Sequence, residues 1–366
     1  MRMHEDEALA GGGAPDMVRG QRLDGETRAR VSVVIPCHNY AQYLEEAVVS
    51  ALAQEGVEVD VTIVDDASTD DSVKIARRLV DADPRVRLIA REVNLGHIHT
   101  FNEALESATA PYVVKLDPDD LLPPGSLSRS VSVLETHPDV VFVYGPVTSF
   151  SGQPPTSVRA VGARRLKIWP GRKWLTLRMK RCRNVIYQPE VMIRTSALQT
   201  VGGHRAEVPA ASDLNLWLRL ASQGSVARIG GVVQGFYRQH SLSMQHTVHT
   251  GKLVDFRARR DAFDLFFAEA PNTVKGLSDM RVLSRRSLAK DAVRLAFEEH
   301  EAGNPAQEYL DDAARLDSRI VRTRAWKINR RRVADPGYNG IPVRLERVRR
   351  DLAARIRFRM WRRFGI

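Results

Sequence analysis

The chain has 366 residues, 43% of them hydrophobic, which is enough for one large domain and a smaller one. Its net charge of +11 reads as a nucleic-acid signal until it is located: residues 321–366 hold 15 basic and 3 acidic side chains, so the rest is close to neutral and no nucleic-acid partner is expected. The distant Cys37 and Cys182 exclude a disulfide scaffold and suit a reducing compartment, and neither a bilayer-spanning apolar run nor a signal peptide is found.

Residues 1–29 are Gly-rich and aperiodic, and are expected to form a disordered leader. A strand–helix rhythm then begins. Val31–Ile35, Val59–Val64, Val86–Ile89 and Tyr112–Leu116 read as strands that are apolar almost throughout. Between them, Tyr43–Ala53, Ser72–Val80 and Ile98–Leu105 carry apolar residues at helical spacing. This alternation implies βαβ units and a parallel sheet. Leu127–Leu134 continues as helix and Val140–Tyr144 as strand. Residues 151–184 look irregular. Val191–Ile193 reads as a short strand, Leu214–Ala221 as a helix, and Ala227–Tyr237 as a final strand pair. From Leu253 onward only helices are expected, with Arg281–His300 and Pro305–Ala314 forming an antiparallel pair.

The chemistry concentrates at strand ends. Val113–Leu116 runs into Asp117, Pro118, Asp119 and Asp120, and Pro123-Pro124-Gly125 forces a turn beyond them. Carboxylates this close repel one another unless a cation neutralises them, and oxygen ligands suit Mg²⁺ or Mn²⁺. In an open parallel sheet, ligands bind at the carboxyl ends of the strands. Pro36-Cys37-His38-Asn39-Tyr40 and Asp65-Asp66-Ala67-Ser68-Thr69-Asp70 end the first two strands on that edge. Asp70 is expected to cap the following helix; Asp65 and Asp66 lie too far before it. There is no GxxxxGK[ST] and no GxGxxG after a strand, so kinase and dehydrogenase readings have no footing.

The segments VSVVIPCHNY, TIVDDASTDDS, NLGHIHTFNEAL, VVKLDPDDLLPPG, TVGGHRAEVPAASDLNLWLRLASQG and FYRQHSLS occur in that order over residues 30–245. Together they resemble the family-2 glycosyltransferases. The resemblance implies a GT-A type α/β fold: a Rossmann-like sandwich with a mainly parallel central sheet, here followed by an α-helical C-terminal region. It divides the chain into a nucleotide-binding half at 30–145, an acceptor-binding half at 146–245, a helical region at 246–320 and a basic tail at 321–366. The activity implied is transfer of a hexosyl or deoxyhexosyl group, with inversion, from a UDP, dTDP or GDP sugar to a hydroxyl of a glycan or lipid-linked acceptor in cell-envelope polysaccharide assembly. A catalytically inactive nucleotide- or glycan-binding protein of the same fold is the alternative.

The resemblance also implies roles. Asp117 and Asp119 match the DxD pair that holds a divalent metal (Mn²⁺ or Mg²⁺) on the diphosphate. Asp65 and Asp66 match the pair that reads base and ribose. Pro36, His38 and Asn39 border the base, Asn94 and Gly96 form a third nucleotide-side motif, and Lys115, before the metal pair, and Pro118, between its two members, belong to the nucleotide-sugar-binding set. Arg238 and His240 match a late Arg-x-His, with His240 closing the metal site or both touching diphosphate. Asp213 matches the Asp of a Glu-Asp motif and is the implied general base; from the residues alone, an N-cap reading stands equally. Ser212 occupies the Glu position, Phe101 stands where Arg often precedes Asn102, and Asn215 replaces a second acidic residue. On the acceptor side, Ser212, Trp217, Trp169 and Trp174 are candidates, with core packing as the competing reading of the tryptophans.

At the C-terminus, Leu345, Val348, Leu352, Ile356 and Met360 recur at helical spacing among nine arginines. Residues 342–364 therefore read as a basic amphipathic helix, and three settings fit it: an anionic membrane surface, the domain's own flank, or another subunit. The expected location is cytoplasmic, peripheral to the inner face of the membrane.

Overall fold

β1 (Arg30–Cys37), β2 (Glu58–Asp65), β3 (Val86–Ala90) and β4 (Tyr112–Lys115) form the parallel half of the sheet. In the computed structural model, which describes residues 28–155, 160–240, 251–271 and 274–364, the expected leader lies almost wholly outside the described residues. α1 (Ala41–Leu52), α2 (Ser72–Ala82) and α3 (His97–Glu106) connect the strands. α1 buries Leu44, Ala47, Val48 and Ala51, one stripe at helical spacing, against sheet residues such as Val31, Val33 and Ile35. The strand order β3-β2-β1-β4 puts β1 between β2 and β4, so the chain leaves β1 in one direction and later returns on its other side. Such a switch opens a crevice at the carboxyl ends of the strands.

The chain continues through α4 (Ser126–Thr136), β5 (Val140–Tyr144), β6 (Val147–Phe150), β7 (Ala160–Trp169), α5 (Gly171–Arg181), β8 (Met192–Arg194), α6 (Thr195–Val201), α7 (Ser212–Ala221), β9 (Ser225–Val232) and β10 (Gly235–Arg238). The main sheet is eight-stranded, in the order β3-β2-β1-β4-β8-β5-β9-β7. The three-residue β8 is antiparallel to both β4 and β5, with Ile193 opposite Val113 on one side and Phe142 on the other. β9 is parallel to β5, and β7 closes the edge antiparallel to β9.

Two expectations are corrected here. The segment 151–184 is not irregular: it contains β7 and α5. Its many Arg and Lys residues obscure the apolar stripe of α5, in which Trp174, Leu175, Arg178 and Met179 are buried. The expected strand pair over Ala227–Tyr237 is two strands in different sheets. β9 lies in the main sheet, whereas β10 pairs in parallel with β6, Arg238 opposite Phe150. β10 also bridges Leu121, whose N–H donates to Phe236 O at 3.0 Å and whose carbonyl accepts from Phe236 N at 2.9 Å. That bridge brings the end of β10 beside the carboxylate loop.

Among the described residues, five α-helices follow: α8 (Lys252–Glu269), α9 (Leu277–Glu301), α10 (Gln307–Leu316), α11 (Arg324–Ala334) and α12 (Ile341–Phe364). α9 and α10 form the expected antiparallel pair, turned at Gly303 with φ 79°, and Arg285 on α9 donates to the carbonyls of Arg315 and Leu316. These helices are not a loose appendage. Phe256, Phe263, Phe266, Leu288, Ala292, Leu295 and Tyr309 share one core with Trp174, Leu175 and Met179. Among the described residues, no helix is long and apolar enough to cross a membrane.

Candidate active site

The loop after β1 is locked to the loop after β2. Asn39 takes a left-handed conformation, φ 61°, which Asn tolerates better than most residues. Its side-chain oxygen accepts the Thr69 N–H at 2.7 Å, and its own N–H donates to Ser68 Oγ at 2.9 Å. Asp70 does more than cap: one oxygen accepts Ser72 N–H at 2.9 Å at the start of α2, and the other accepts Ala41 N–H at 3.0 Å at the start of α1. The two helix starts are thereby tied together.

Asp65 and Asp66 are both buried; the Asp65 carboxylate faces its own loop and that of Asp66 the loop after β3. Asp65 accepts from the N–H and the hydroxyl of Ser68 at 2.8 and 2.5 Å. Asp66 accepts from Leu95 N–H, Gly96 N–H and Arg91 Nη1 at 2.8, 2.9 and 3.0 Å. Burial alone would raise the Asp66 pKa, but these donors hold it below the usual carboxylate value. Asp66 lines the cleft beside Asn94 and Gly96, whereas Asp65 is not among its lining residues. Gly96 has φ 87°, which the turn into α3 requires. His38 stands at the same wall, with Nδ1 2.8 Å from Asp66 O and Nε2 3.3 Å from Asn94 Nδ2. This geometry suits the tautomer protonated at Nδ1.

The carboxylate loop follows β4. Lys115 is buried, with its ammonium 2.5 Å from Asp117 Oδ1 and 3.8 Å from the centroid of the Phe101 ring. Asp119 Oδ2 lies 2.8 Å from His240 Nε2. Asp120 is buried deeper: Oδ1 accepts Arg238 N–H at 2.9 Å, and Oδ2 is enclosed without a hydrogen-bond partner. Burial, reinforced by Asp117, pushes the Asp119 pKa up; burial, Asp119 and Asp117 push that of Asp120 well up.

Arg238 corrects an expectation. Its Nε donates to Asp119 O at 2.8 Å, Nη1 donates to Gly152 O at 3.0 Å, and Nη2 is paired with Glu46. The guanidinium lies between the rings of Tyr43 and Phe150, 4.7 and 4.6 Å from their centroids. With every nitrogen engaged inside the protein, Arg238 braces the loop and does not reach a nucleotide. Arg238→Met is therefore expected to lower Asp119-dependent nucleotide affinity through loop disorder and to destabilise the fold by about 1–3 kcal/mol, because the Asp119 and Gly152 carbonyls lose their side-chain donors while the backbone N–H bond to Asp120 remains. Parallel calorimetric titration and chemical denaturation would check both.

Across the cleft, α7 begins at Ser212, so Asp213 lies in its first turn rather than at the N-cap. Its Oδ1 still accepts Leu214 N–H at 2.7 Å, while Oδ2 accepts from Asn184 Nδ2 at 2.6 Å. Burial raises the Asp213 pKa, and the Leu214 N–H and nearby Lys115 oppose that rise. Ser212 Oγ is 3.0 Å from Nδ1 of His204, a buried imidazole whose pKa burial drives well down. His204 is clamped through its backbone: its N–H donates to Asn102 Oδ1 at 2.6 Å and its carbonyl accepts from Asn102 Nδ2 at 3.0 Å. A Cβ on Gly203 would sit 2.1 Å from that Asn102 oxygen, so only glycine fits. Phe101 supports Lys115 on its face and meets His204 with ring centroids 5.3 Å apart. Asn215 is buried, bound to Ala262 O and Arg219. Sequence reasoning missed Asn184 and His204, because each reaches Asp213 or Ser212 only through the fold.

These groups line one cleft of 1630 Å³, walled by both halves of the sheet and by Ser287, Lys290 and Arg294 of α9. Pro36, His38, Asn39, Asn94, Gly96, Lys115, Asp117, Pro118, Asp119, Ser212, Asp213 and His240 all border it. The tryptophans do not. Trp169, Trp174 and Trp217 are buried in the core, the last two around Phe142 at 5.7 and 5.6 Å. A sugar stacks only on an exposed ring face, so the acceptor expectation for all three is corrected. The aromatic lining is instead Tyr40, Phe101, Tyr187 and Tyr237. Trp174→Ala is expected to cost about 3–5 kcal/mol of stability in chemical denaturation.

The residues present fit a divalent cation in one specific sense. Among the described residues, no group of three or more His, Cys, Asp or Glu forms a cage of its own. Yet Asp117, Asp119 and His240 border the cleft, and Asp120 Oδ2 is an unmatched acceptor beneath them. A partial, oxygen-rich donor set suits an ion that keeps water and substrate phosphate oxygens in its shell.

The family described as Glycosyl transferase family 2 matches residues 32–193. EpsE of Bacillus subtilis (strain 168) is 30% identical over 198 residues, 53% of this chain and 68% of that protein. The chain spans 13% and 35% of the length of two other curated relatives that it matches at 39% identity. Among solved structures, S. aureus TarS 1–349 in complex with UDP superposes with a TM-score of 0.59 at 15% identity, covering 84% of this chain and 88% of that one. The mannosyltransferase PcManGT of Pyrobaculum calidifontis, in complex with GDP-Man and Mn²⁺, gives 0.55 at 19% identity, covering 92% and 84%. The strand order, the carboxylate loop at the sheet's carboxyl edge and the extent of the match to EpsE converge on one conclusion: the chain belongs to glycosyl transferase family 2.

Proposed function

We propose that this chain is an inverting glycosyltransferase, moving a sugar from a nucleotide-diphosphate donor to a hydroxyl of a glycan or lipid-linked acceptor. Residues 30–245 are its catalytic domain, with the nucleotide half at 30–145. The observation that carries the reading is one cleft lined on one side by Asp117, Asp119 and His240 and on the other by Asp213.

A divalent ion held by Asp117, Asp119 and His240 would stabilise negative charge on the departing diphosphate. The remaining roles belong to the chain itself. His38, Asn39, Asp66, Asn94 and Gly96 form the wall for the nucleoside. Lys115 holds Asp117 in place and adds positive charge beneath the phosphates. Asp213 accepts the proton of the attacking acceptor hydroxyl, with Asn184 fixing the orientation of its carboxylate. Ser212 and His204 supply hydrogen bonds beside it in place of an acidic side chain.

UDP, GDP and dTDP titrated by calorimetry, with and without Mn²⁺, test this reading. One of them binding only with the metal, followed by turnover with a sugar panel, supports it. Binding without turnover leaves the inactive-module alternative, and no binding removes the foundation of both. TarS with UDP and the mannosyltransferase with GDP-Man put two of these nucleotides in the panel.

A pH prediction follows from burial. A base must be ionised, and burial raises the Asp213 pKa above its ordinary 3.8. The acid limb of kcat is therefore expected above that value, with activity rising through it as pH increases, read from a kcat–pH profile.

A further inference from the structure

Helix α12 is attached to the body by one face. Val343 is buried with Phe297 and Ile328. Glu346 is buried and bonded to Arg349 and Arg350, while Arg350 lies over Phe297 at 4.5 Å and donates to Val293 O and Arg294 O. Arg347 pairs with Glu301. Positions 343, 346, 347 and 350 lie together on the helix.

The opposite face is an apolar stripe with nothing over it among the described residues. Ile341, Leu345, Val348, Leu352 and Ile356 recur every three or four residues and are 73, 55, 66, 59 and 49% exposed. Isolated exposed apolar side chains are ordinary, but five in register on one helix are a surface. The helix packs on its own domain through the other face, and among the described residues this stripe takes no part in that packing. Arg344, Arg349 and Arg355 flank the stripe and are exposed, and Arg344 and Arg355 have no acidic partner among the described residues. Across Ile341–Phe364 the sequence holds nine arginines against Glu346 and Asp351.

That charge selects the occupant. A second copy of the same face would bring two rows of arginines together, and like charges at contact disfavour the pairing. An anionic bilayer offers what the face lacks: an apolar layer for the stripe and lipid phosphates for the flanking guanidiniums. We propose that the chain docks on anionic membrane through α12, which lies in the interface plane with Ile341, Leu345, Val348, Leu352 and Ile356 inserted. The cleft meets this helix at Ala354, outside the stripe, and vesicle binding is independent of whether that cleft turns over a sugar.

The test is co-sedimentation of the full chain with vesicles of phosphatidylcholine alone and of phosphatidylcholine mixed equally with phosphatidylglycerol. Binding is expected to the mixed vesicles only, and to fall as sodium chloride rises. Leu345→Glu/Val348→Glu/Leu352→Glu is expected to abolish it, and Arg344→Gln/Arg355→Gln to weaken it on the order of tenfold. All five positions are exposed, so thermal melts should match the parent chain and exclude misfolding. Absence of binding to the mixed vesicles, or full binding by the triple Glu variant, would overturn the proposal. A dimer in sedimentation equilibrium that the triple variant splits into monomers would overturn it too, in favour of a contact between copies.

Discussion

Asp119→Ala is expected to abolish metal-dependent nucleotide binding and to lower turnover by roughly three orders of magnitude. Asp119 is the carboxylate that meets His240, at 2.8 Å, and it borders the cleft where a diphosphate would lie. Its removal leaves His240 and Asp117, and Asp117 is already shared with Lys115. The fold should survive. Asp119, Asp117 and Asp120 repel one another, so the substitution relieves repulsion in the metal-free chain. The loop keeps its bond from Arg238 to the Asp119 carbonyl, which no side-chain change at position 119 removes. Asp120→Ala should behave differently: it deprives the buried Arg238 N–H of its acceptor, and its first consequence is loss of stability. Calorimetric titration with Mn²⁺ beside chemical denaturation separates the two. Undiminished metal-dependent binding by Asp119→Ala would remove Asp119 from the metal site.

Asp213→Asn is expected to leave nucleotide binding intact and to lower kcat by about 10²–10⁴-fold, the usual contribution of a positioned general base. Asn is close to isosteric and can still accept from Leu214 N–H or Asn184, so the start of α7 should persist. The variant should also lose the acid limb that burial places above 3.8, because no titrating carboxyl remains there. Asn184→Ala gives a graded companion. It frees Asp213 Oδ2 from its donor, and so is expected to shift the acid limb as well as to reduce kcat. Most of the parent turnover in Asp213→Asn, with binding unchanged, would sink the assignment of Asp213 as base.

The parallel half of the sheet was legible from the chain because its determinants are local. Val140–Tyr144 forms a strand over the residues expected, and the first four strands and three helices appear within one or two residues of their apolar patterns. An apolar run ended by Pro, Gly or Asp carries its own boundaries. The Asp117–Asp120 loop was legible for the same reason. Composition hid α5, whose buried stripe is interrupted by Arg and Lys. It also made Trp169 and Trp174 look like a sugar platform, although both rings are buried in a core assembled from residues distant in sequence.

The sequence by itself determined which segments become strands and helices, where the carboxylates cluster, and that the C-terminus is a basic amphipathic helix. Each depends on spacing within a few residues, and the chain carries that spacing wherever it folds. Only the tertiary structure decided that β8 enters the sheet reversed and that β10 leaves β9 to join β6. It likewise decided that Arg238 braces the carboxylate loop and that Asn184 bonds Asp213. It also set which face of α12 is packed and which is left apolar and open. Those outcomes rest on pairings between residues tens to more than a hundred positions apart. Such contacts form only when the whole core closes, and no local pattern encodes them.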